Sequence, residues 1–143
     1  MIMRQIKFRG KRLDNGKWII GYYLEMELCD GCGRYSYIKA DGYEPIKVDP
    51  NTIGQYTGLK DKNGKEIYEG DIVEWENLMK KTMRSVIRYI YNRFKFTDFD
   101  GEDQEIWCYV FEAIGNIHDN PELLKGEDDS YITNLRAAHR TSK

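Results

Sequence analysis

Two cysteines, Cys29 and Cys32, are followed by Gly33 in the pattern Cys-x-x-Cys-Gly. This is the spacing of a zinc knuckle, a turn in which two thiolates bind one metal ion. A tetrahedral site needs two more ligands, and the other cysteine and histidine residues of the chain are Cys108, His118 and His139. We therefore predict a glycine-rich loop with unpaired thiols, with no metal and no cofactor. A zinc half-site and a redox disulfide are the alternatives.

Four acidic side chains lie in the central run of residues 61 to 71. Paired carboxylates can divide the acid and base roles of hydrolysis when their environments separate their pKa values. Each of them also has a local explanation. Asp61 suits a turn, and Asp71 suits an Asx turn that leads into a strand. Because Glu66 and Glu69 suit a solvated loop, we expect the run to specify the fold; a hydrolase using these carboxylates with His118 is the alternative.

Signatures of common enzymes are missing from the chain. It has no Gly-x-Ser-x-Gly, no Gly-Lys-Ser or Gly-Lys-Thr, and no His-Glu-x-x-His, which are patterns of hydrolases, phosphate-binding loops and zinc peptidases. His118 follows an apolar segment and is expected to be packed or hydrogen-bonded. We therefore predict that the protein is not an enzyme, and we assign no catalytic residue.

The charge of the chain is small in total but strongly divided. The sequence has 143 residues, 41% of them hydrophobic, and a formal net charge of -2. Residues 1–17 sum to +5, residues 79–95 to +6 and residues 98–129 to -10. The total therefore excludes a uniformly basic nucleic-acid binder, whereas the blocks can pair within the protein, between subunits, or with a partner.

Two interaction functions are compatible with these blocks. Basic segments interleaved with aromatic residues can follow a phosphate backbone and stack on bases, whereas opposed blocks favour self-association or binding of a host protein. We rank protein association first and nucleic-acid binding second. A third reading is that strands with one solvated face place charges there. The candidate nucleic-acid contacts are Arg4, Lys7, Arg9, Lys80, Lys81, Arg84 and Arg88.

The elements that would position these residues are mainly strands. Apolar and polar residues alternate in several segments, and Asn15-Gly16, Asn63-Gly64 and Asp100-Gly101 supply turns between them. We predict hairpins that join residues 6–9 to 18–24 and residues 56–59 to 72–75, and a strand over 106–111. The sequence thus favours a mainly β (at most α+β), antiparallel fold, either small-barrel-like or a curled sheet.

Helical signals are confined to the end of the chain. Residues 119–126 combine a capping residue, Pro121 as the first helical residue, Glu122 in the first turn and a closing glycine, which predicts one short helical turn. Residues 127–143 read as a flexible tail, marginally helical from 131 to 138. We predict a single domain over 1–126, since a chain of this size can bury a core without metals or disulfides.

Localisation is inferred from the N-terminus, the apolar runs and the cysteines. The basic start of the chain is not followed by an apolar stretch typical of a signal peptide, and no run approaches the ~18 apolar residues of a membrane span. Three cysteines form an odd set, which fits a reducing compartment. We therefore expect a cytoplasmic protein without membrane association.

A longer pattern resembles a known family. The central segment Gly54–Val73, the start Ile6–Gly10 with the residues of 16–23, and the segment Ile114–Leu124 are similar to motifs of the YopX family of phage and prophage proteins. The resemblance covers about residues 4 to 124. It implies a β-rich, small-barrel-like fold in a phage- or prophage-encoded protein working inside the bacterial cell. It implies no established activity and no catalytic residue. Two regions look less like the family pattern, residues 28–42 and the tail after Lys125.

Overall fold

The chain divides into two compact units. The computed structural model describes residues 3–97 and 101–125, and the units are Met1–Glu69 (unit 1) and Gly70–Lys143 (unit 2). The single domain predicted over 1–126 stays a prediction, and the predicted tail of 127–143 lies outside the described residues. Within the described ranges, no helix has the length and apolar character needed to span a membrane.

Unit 1 is built on one antiparallel sheet of six strands. They are β1 (Phe8–Lys11), β2 (Trp18–Glu27), β3 (Arg34–Lys39), β4 (Ile46–Lys47), β5 (Gly54–Lys60) and β6 (Glu66–Tyr68). The order is β4-β3-β2-β1-β5-β6, and a 3-10 turn at Pro50–Thr52 precedes β5. The mainly β prediction is confirmed. The described strands do not form a closed barrel. The described sheet is open, with β4 and β6 at its edges.

Strand β1 lies at the centre of this sheet. Phe8 pairs with Gly21 of β2 and with Gln55 of β5. Gly10 packs against Val48, which is 1% exposed, and a Cβ atom at Gly10 would lie 3.2 Å from the Val48 side chain. A side chain at position 10 would therefore require Val48 to shift by a few tenths of an ångström.

The hairpin predicted at Asn15-Gly16 is confirmed, since β1 and β2 pair across it. Gly16 has a φ of +69°, the left-handed conformation that glycine adopts without strain. The loop is longer than the two-residue turn that Asn-Gly predicts. The Arg12 N–H donates to the Lys17 carbonyl at 2.9 Å, so residues 13–16 lie in the loop.

The turn at Asp61 joins β5 to β6, so its predicted pairing with residues 72–75 is wrong. Sequence reasoning missed β6 because this strand has only three residues, and the chain bends again soon afterwards at Gly70, which has a φ of +89°. The Asp61 carboxylate, at 8% exposure, accepts hydrogen bonds from the N–H groups of Asn63 (2.8 Å) and Lys65 (2.9 Å). Asp61 therefore holds the turn, as its type predicts.

Unit 2 contains two antiparallel sheets of three strands each. One has the order β12-β7-β8 and the other β11-β10-β9. The strands are β7 (Asp71–Glu76), β8 (Thr82–Val86), β9 (Arg88–Ile90), β10 (Arg93–Thr97), β11 (Asp103–Glu105) and β12 (Glu112–Asn116).

An aromatic cluster forms one part of the core of unit 2. The ring centroid of Phe96, 0% exposed, lies 5.1 Å from Trp75, 4.8 Å from Tyr109 and 5.1 Å from Phe111. The strand predicted over 106–111 is wrong. Residues Ile106–Cys108 form a 3-10 turn instead, and Trp107 is 74% exposed. Burial does not alternate along residues 106–111, because the chain turns here and only some of these side chains enter the core of unit 2.

The helical turn near the C-terminus is confirmed as a 3-10 turn at Pro121–Leu124. Its predicted cap differs, because the Asn120 side chain accepts the Asn116 N–H (3.3 Å) instead of capping the turn. A Cβ atom at Gly115 would lie 2.6 Å from the Asn120 side-chain oxygen. This segment therefore needs glycine at position 115 to close. The closing glycine predicted at 126 lies outside the described residues.

We predict that Asp61→Ala lowers the free energy of unfolding by about 2 kcal/mol, because the two backbone N–H groups of the turn lose a charged acceptor. Asp61→Asn keeps one side-chain oxygen and should lose less. Urea titrations of the two variants test this. Equal losses for both, or no loss for alanine, would contradict the structural role of the carboxylate.

Phe96→Ala should destabilise the protein by about 3–5 kcal/mol, because it removes the ring at the centre of the aromatic cluster. The matched control is Tyr91→Ala, whose side chain is 85% exposed; it should change stability by less than about 0.5 kcal/mol. Denaturation followed by near-UV circular dichroism measures both, and similar losses would refute the assignment of this core.

Candidate functional site

One face of the unit 1 sheet carries basic side chains next to aromatic rings. Arg9 and Lys11 project to the same side of β1, since side chains alternate along a strand. Arg9 is paired with Ile20 of β2 and Lys11 with Trp18, and paired residues share a face. Tyr22, two residues beyond Ile20, lies on this face as well. We call it the basic-aromatic face.

Cations stack on aromatic rings across this face. The Lys7 ammonium lies 4.8 Å from the Tyr56 ring centroid. The Arg9 guanidinium lies 4.7 Å from the ring of Trp18 and 5.0 Å from that of Tyr68. Each contact of this kind stabilises by about 0.5–2 kcal/mol. The half-buried Arg9 is therefore held by the protein's own rings.

An ion pair closes one end of the stack. The Lys7 ammonium lies 2.6 Å from a Glu66 carboxylate oxygen, and the Tyr68 hydroxyl donates to the same oxygen at 3.4 Å. Burial, followed by the negative charge of Glu66, raises the pKa of Tyr68 above its ordinary value. The phenol therefore stays protonated and serves as a neutral donor.

A shallow cleft of about 440 Å³ opens beside Lys7. Ile6, Ile20 and Tyr22 form its apolar part and are 54%, 46% and 62% exposed. Three cations and one acid surround them, so the lining is net positive. The polar groups are Arg4, Gln5, Lys7, Lys39 and Asp41.

Backbone contacts position Lys39, the third cation of the cleft. Gly21 also lines the cleft, and a Cβ atom there would lie 2.2 Å from the Lys39 carbonyl oxygen. Strands β2 and β3 therefore approach closely at this point. The Lys39 ammonium donates to the Tyr43 carbonyl at 2.8 Å, which restrains it at the rim of the cleft.

This geometry is suited to binding. Exposed apolar side chains between cations can hold an acidic segment that also carries an apolar side chain, or a base beside its phosphate. The carboxylates and histidine considered for hydrolysis do not line this cleft: Glu69, Asp71 and His118 lie elsewhere among the described residues.

The predicted nucleic-acid contacts of unit 1 partly come together. Arg4 and Lys7 both line the cleft. Arg9 lies on the adjoining basic-aromatic face but is half-buried in its ring stack. Two of the three thus border one concave surface.

The four candidates in unit 2 lie on or beside β7 and β8, or at the start of β9. Lys80 lies in an exposed turn 3.3 Å from Glu76, and Lys81 follows it. Arg84 lies 3.0 Å from Glu74, and Arg88 lies 2.8 Å from Asp103. The positive charges of Lys80, Arg84 and Arg88 are therefore largely balanced by neighbouring carboxylates.

The opposed charge blocks meet inside unit 2. Arg88 and Arg93 from the +6 block pair with Asp103 and Glu105 from the -10 block, at 2.8 Å and 2.9 Å. Strand β10 pairs with β9 on one side and with β11 on the other, so Arg88 reaches Asp103 across β10, and Arg93 lies diagonally opposite Glu105. Pairing within the protein, one of the predicted alternatives, is thus observed for these residues.

Two of the central carboxylates lie in positions that differ from the prediction. Glu66 and Glu69 were expected in a solvated loop, whereas Glu66 lies in β6 and Glu69 accepts the Gln55 N–H at 3.4 Å. Pairing of β6 with β5 draws both carboxylates onto the sheet. Asp71 begins β7 and is 2% exposed.

The cysteine loop also differs from the prediction of unpaired thiols. Cys29 and Cys32 are joined by a disulfide, with Cα atoms 5.4 Å apart. The turn between them, in which the Cys32 N–H donates to the Cys29 carbonyl, brings the two side chains together. Cys108 is a free, exposed cysteine. In the part of the chain that the structure describes, no three His, Cys, Asp or Glu side chains form a group that could hold a metal.

Sequence reasoning missed part of the cleft. Alternation along residues 18–24 is a signal that places Trp18, Ile20 and Tyr22 on one face. Lys39 and Asp41 had no such signal, because their proximity depends on the register of β3 against β2.

Comparison with known proteins places this fold. A crystal structure of protein EF1440 from Enterococcus faecalis matches at 26% identity and a TM-score of 0.53, covering 86% of this chain and 100% of that chain. The crystal structure of yopX from Bacillus subtilis matches at 18% identity and a TM-score of 0.55, covering 88% and 100%. At that identity the second likeness concerns the fold alone. No curated protein matches the chain.

The family comparison agrees with the motifs. A family described as YopX protein matches residues 7–125, close to the range over which the resemblance was recognised. The central segment includes the Asp61 turn, and the final motif includes the close contact at Gly115, so parts of the family pattern coincide with positions that shape the fold. The chain belongs to the YopX family.

Proposed function

We propose that this protein is a non-enzymatic interaction module, encoded by a phage or prophage and acting in the bacterial cytoplasm, that self-associates or binds a host protein. The cleft of unit 1 carries this proposal. Its exposed Ile20 and Tyr22 lie beside Arg4, Lys7 and Lys39, and aromatic residues and Arg are enriched in protein interfaces.

The partner's chemistry follows from the lining. A net positive rim favours an acidic segment, and the apolar floor favours one with an apolar side chain. This chain itself carries such composition, since residues 98–129 sum to -10 and include several apolar residues. A second copy is therefore a suitable partner, as is an acidic host protein.

We predict that Tyr22→Ala weakens association at least about tenfold, which corresponds to about 1.4 kcal/mol. Sedimentation and light scattering over a concentration series measure self-association, and capture from bacterial lysate measures binding of a host protein. Tyr43→Ala is the control, because Tyr43 is 66% exposed but does not line the cleft.

Two outcomes decide between these partners. A wild-type mass that stays monomeric at high concentration removes self-association and leaves the host protein. Failure of both assays, or equal effects of the Tyr22 and Tyr43 variants, would refute the cleft as the interaction site.

Single-stranded nucleic acid is the second candidate, favoured by the convergence of Arg4 and Lys7 with the exposed ring of Tyr22. Three phosphate contacts, from Arg4, Lys7 and Lys39, should lower affinity for a single strand roughly 20-fold between 50 and 200 mM salt. Arg4→Gln should reduce this salt dependence, whereas Lys80→Gln in unit 2 should not. Fluorescence anisotropy with single-stranded and duplex probes measures it, and absence of binding to both at low salt eliminates this function.

A further inference from the structure

The hairpin of β2 and β3 ends in an exposed cysteine pair. The last paired residues of the hairpin are Glu27 and Arg34, and every residue from 28 to 33 is exposed. None of these residues lines the cleft. The tip is therefore a separate surface of unit 1.

The loop is shaped so that both cysteine side chains reach one point. Their Cα atoms lie 5.4 Å apart, and the Cys32 N–H donates to the Cys29 carbonyl at 3.1 Å. The Gly31 N–H donates to the Glu27 carboxylate at 3.0 Å. Gly31 and Gly33 have φ values of +82° and +81°, so both glycines hold a turn that other residues would strain.

Two thiolates in this arrangement match half of a zinc site. Zinc with Zn–S bonds of about 2.3 Å in a tetrahedral site holds neighbouring sulfurs about 3.8 Å apart. A Cys-x-x-Cys turn accommodates this spacing after the sulfur–sulfur bond is opened. Because no group of three ligands exists among the described residues, the remaining two ligands must come from outside this part of the chain.

We propose that the reduced pair Cys29 and Cys32 binds one Zn²⁺ together with the same two cysteines of a second copy of this chain. A two-fold axis through the metal makes the contact self-complementary, and four thiolates complete a closed structural site. The exposed tip allows two hairpins to meet end to end. Leu28, 70% exposed next to Cys29, becomes covered in the contact.

The oxidation state controls this contact. A dithiol or two glutathione thiols transfer two electrons and two protons to the disulfide, which yields two cysteine thiols and one reductant disulfide. Each thiol then releases its proton when it binds zinc. The disulfide form has no thiolate to offer, so association through the tip requires reducing conditions. This inference goes beyond the proposed function, because it does not involve the cleft.

The test uses the untagged, full-length protein, reduced and equilibrated with Zn²⁺ and then freed of excess metal. Elemental analysis should find about one zinc per two chains, and light scattering should give twice the monomer mass. Chelation should return the zinc-dependent dimer to monomer. Replacement of zinc by Co²⁺ should give the absorption of tetrahedral cobalt with thiolate charge-transfer bands.

Matched serine variants complete the experiment. Cys29→Ser and Cys32→Ser should each abolish zinc retention and the zinc-dependent dimer, while Cys108→Ser should leave both unchanged, with folding checked by circular dichroism. No retained zinc, one zinc per monomer, or loss of zinc in the Cys108 variant would overturn the proposal. Association that persists after chelation belongs to another surface, which separates this result from that for the cleft.

Discussion

The antiparallel pairing of β1 with β2 on one side and β5 on the other determines the layout of unit 1. A slip of one residue would exchange the two faces of the strand. Arg9 would then face the core beside Val48, and Gly10 would replace it in the ring stack. The cation–π contacts, the ion pair of Lys7 with Glu66 and the apolar floor of the cleft therefore depend on the register of a four-residue strand.

Local sequence signals predicted much of the fold. Sequence patterns predicted β1, β2, β5 and β7, and the Asn15-Gly16 and Pro121 signals predicted a hairpin and a helical turn. Failures occurred where long-range packing decides. Strand β6 is too short to show a period, and the run at 106–111 turns because the aromatic cluster of unit 2 accepts only some of its rings.

The site was less predictable for a related reason. Charge blocks are visible in the sequence, but their neutralisation depends on cross-strand neighbours such as Arg93 and Glu105. Arg4 and Lys7 were identified from charge alone, whereas Lys39 joins them only through the register of β3 against β2. A small net charge therefore conceals a surface in which unit 2 pairs many of its charges while unit 1 leaves a positive cleft.

The three tryptophans lie in three different environments. Trp18 lies beneath Arg9 and Lys11, Trp75 is 6% exposed within the aromatic cluster, and Trp107 is 74% exposed. Their fluorescence therefore carries separable information. A soluble quencher such as iodide reaches mainly Trp107, the indole of Trp18 is perturbed by its stacked cations, and Trp75 responds to loosening of the unit 2 core. Replacing two of the three tryptophans at a time by phenylalanine would leave one intrinsic optical reporter in a chosen unit without an added label.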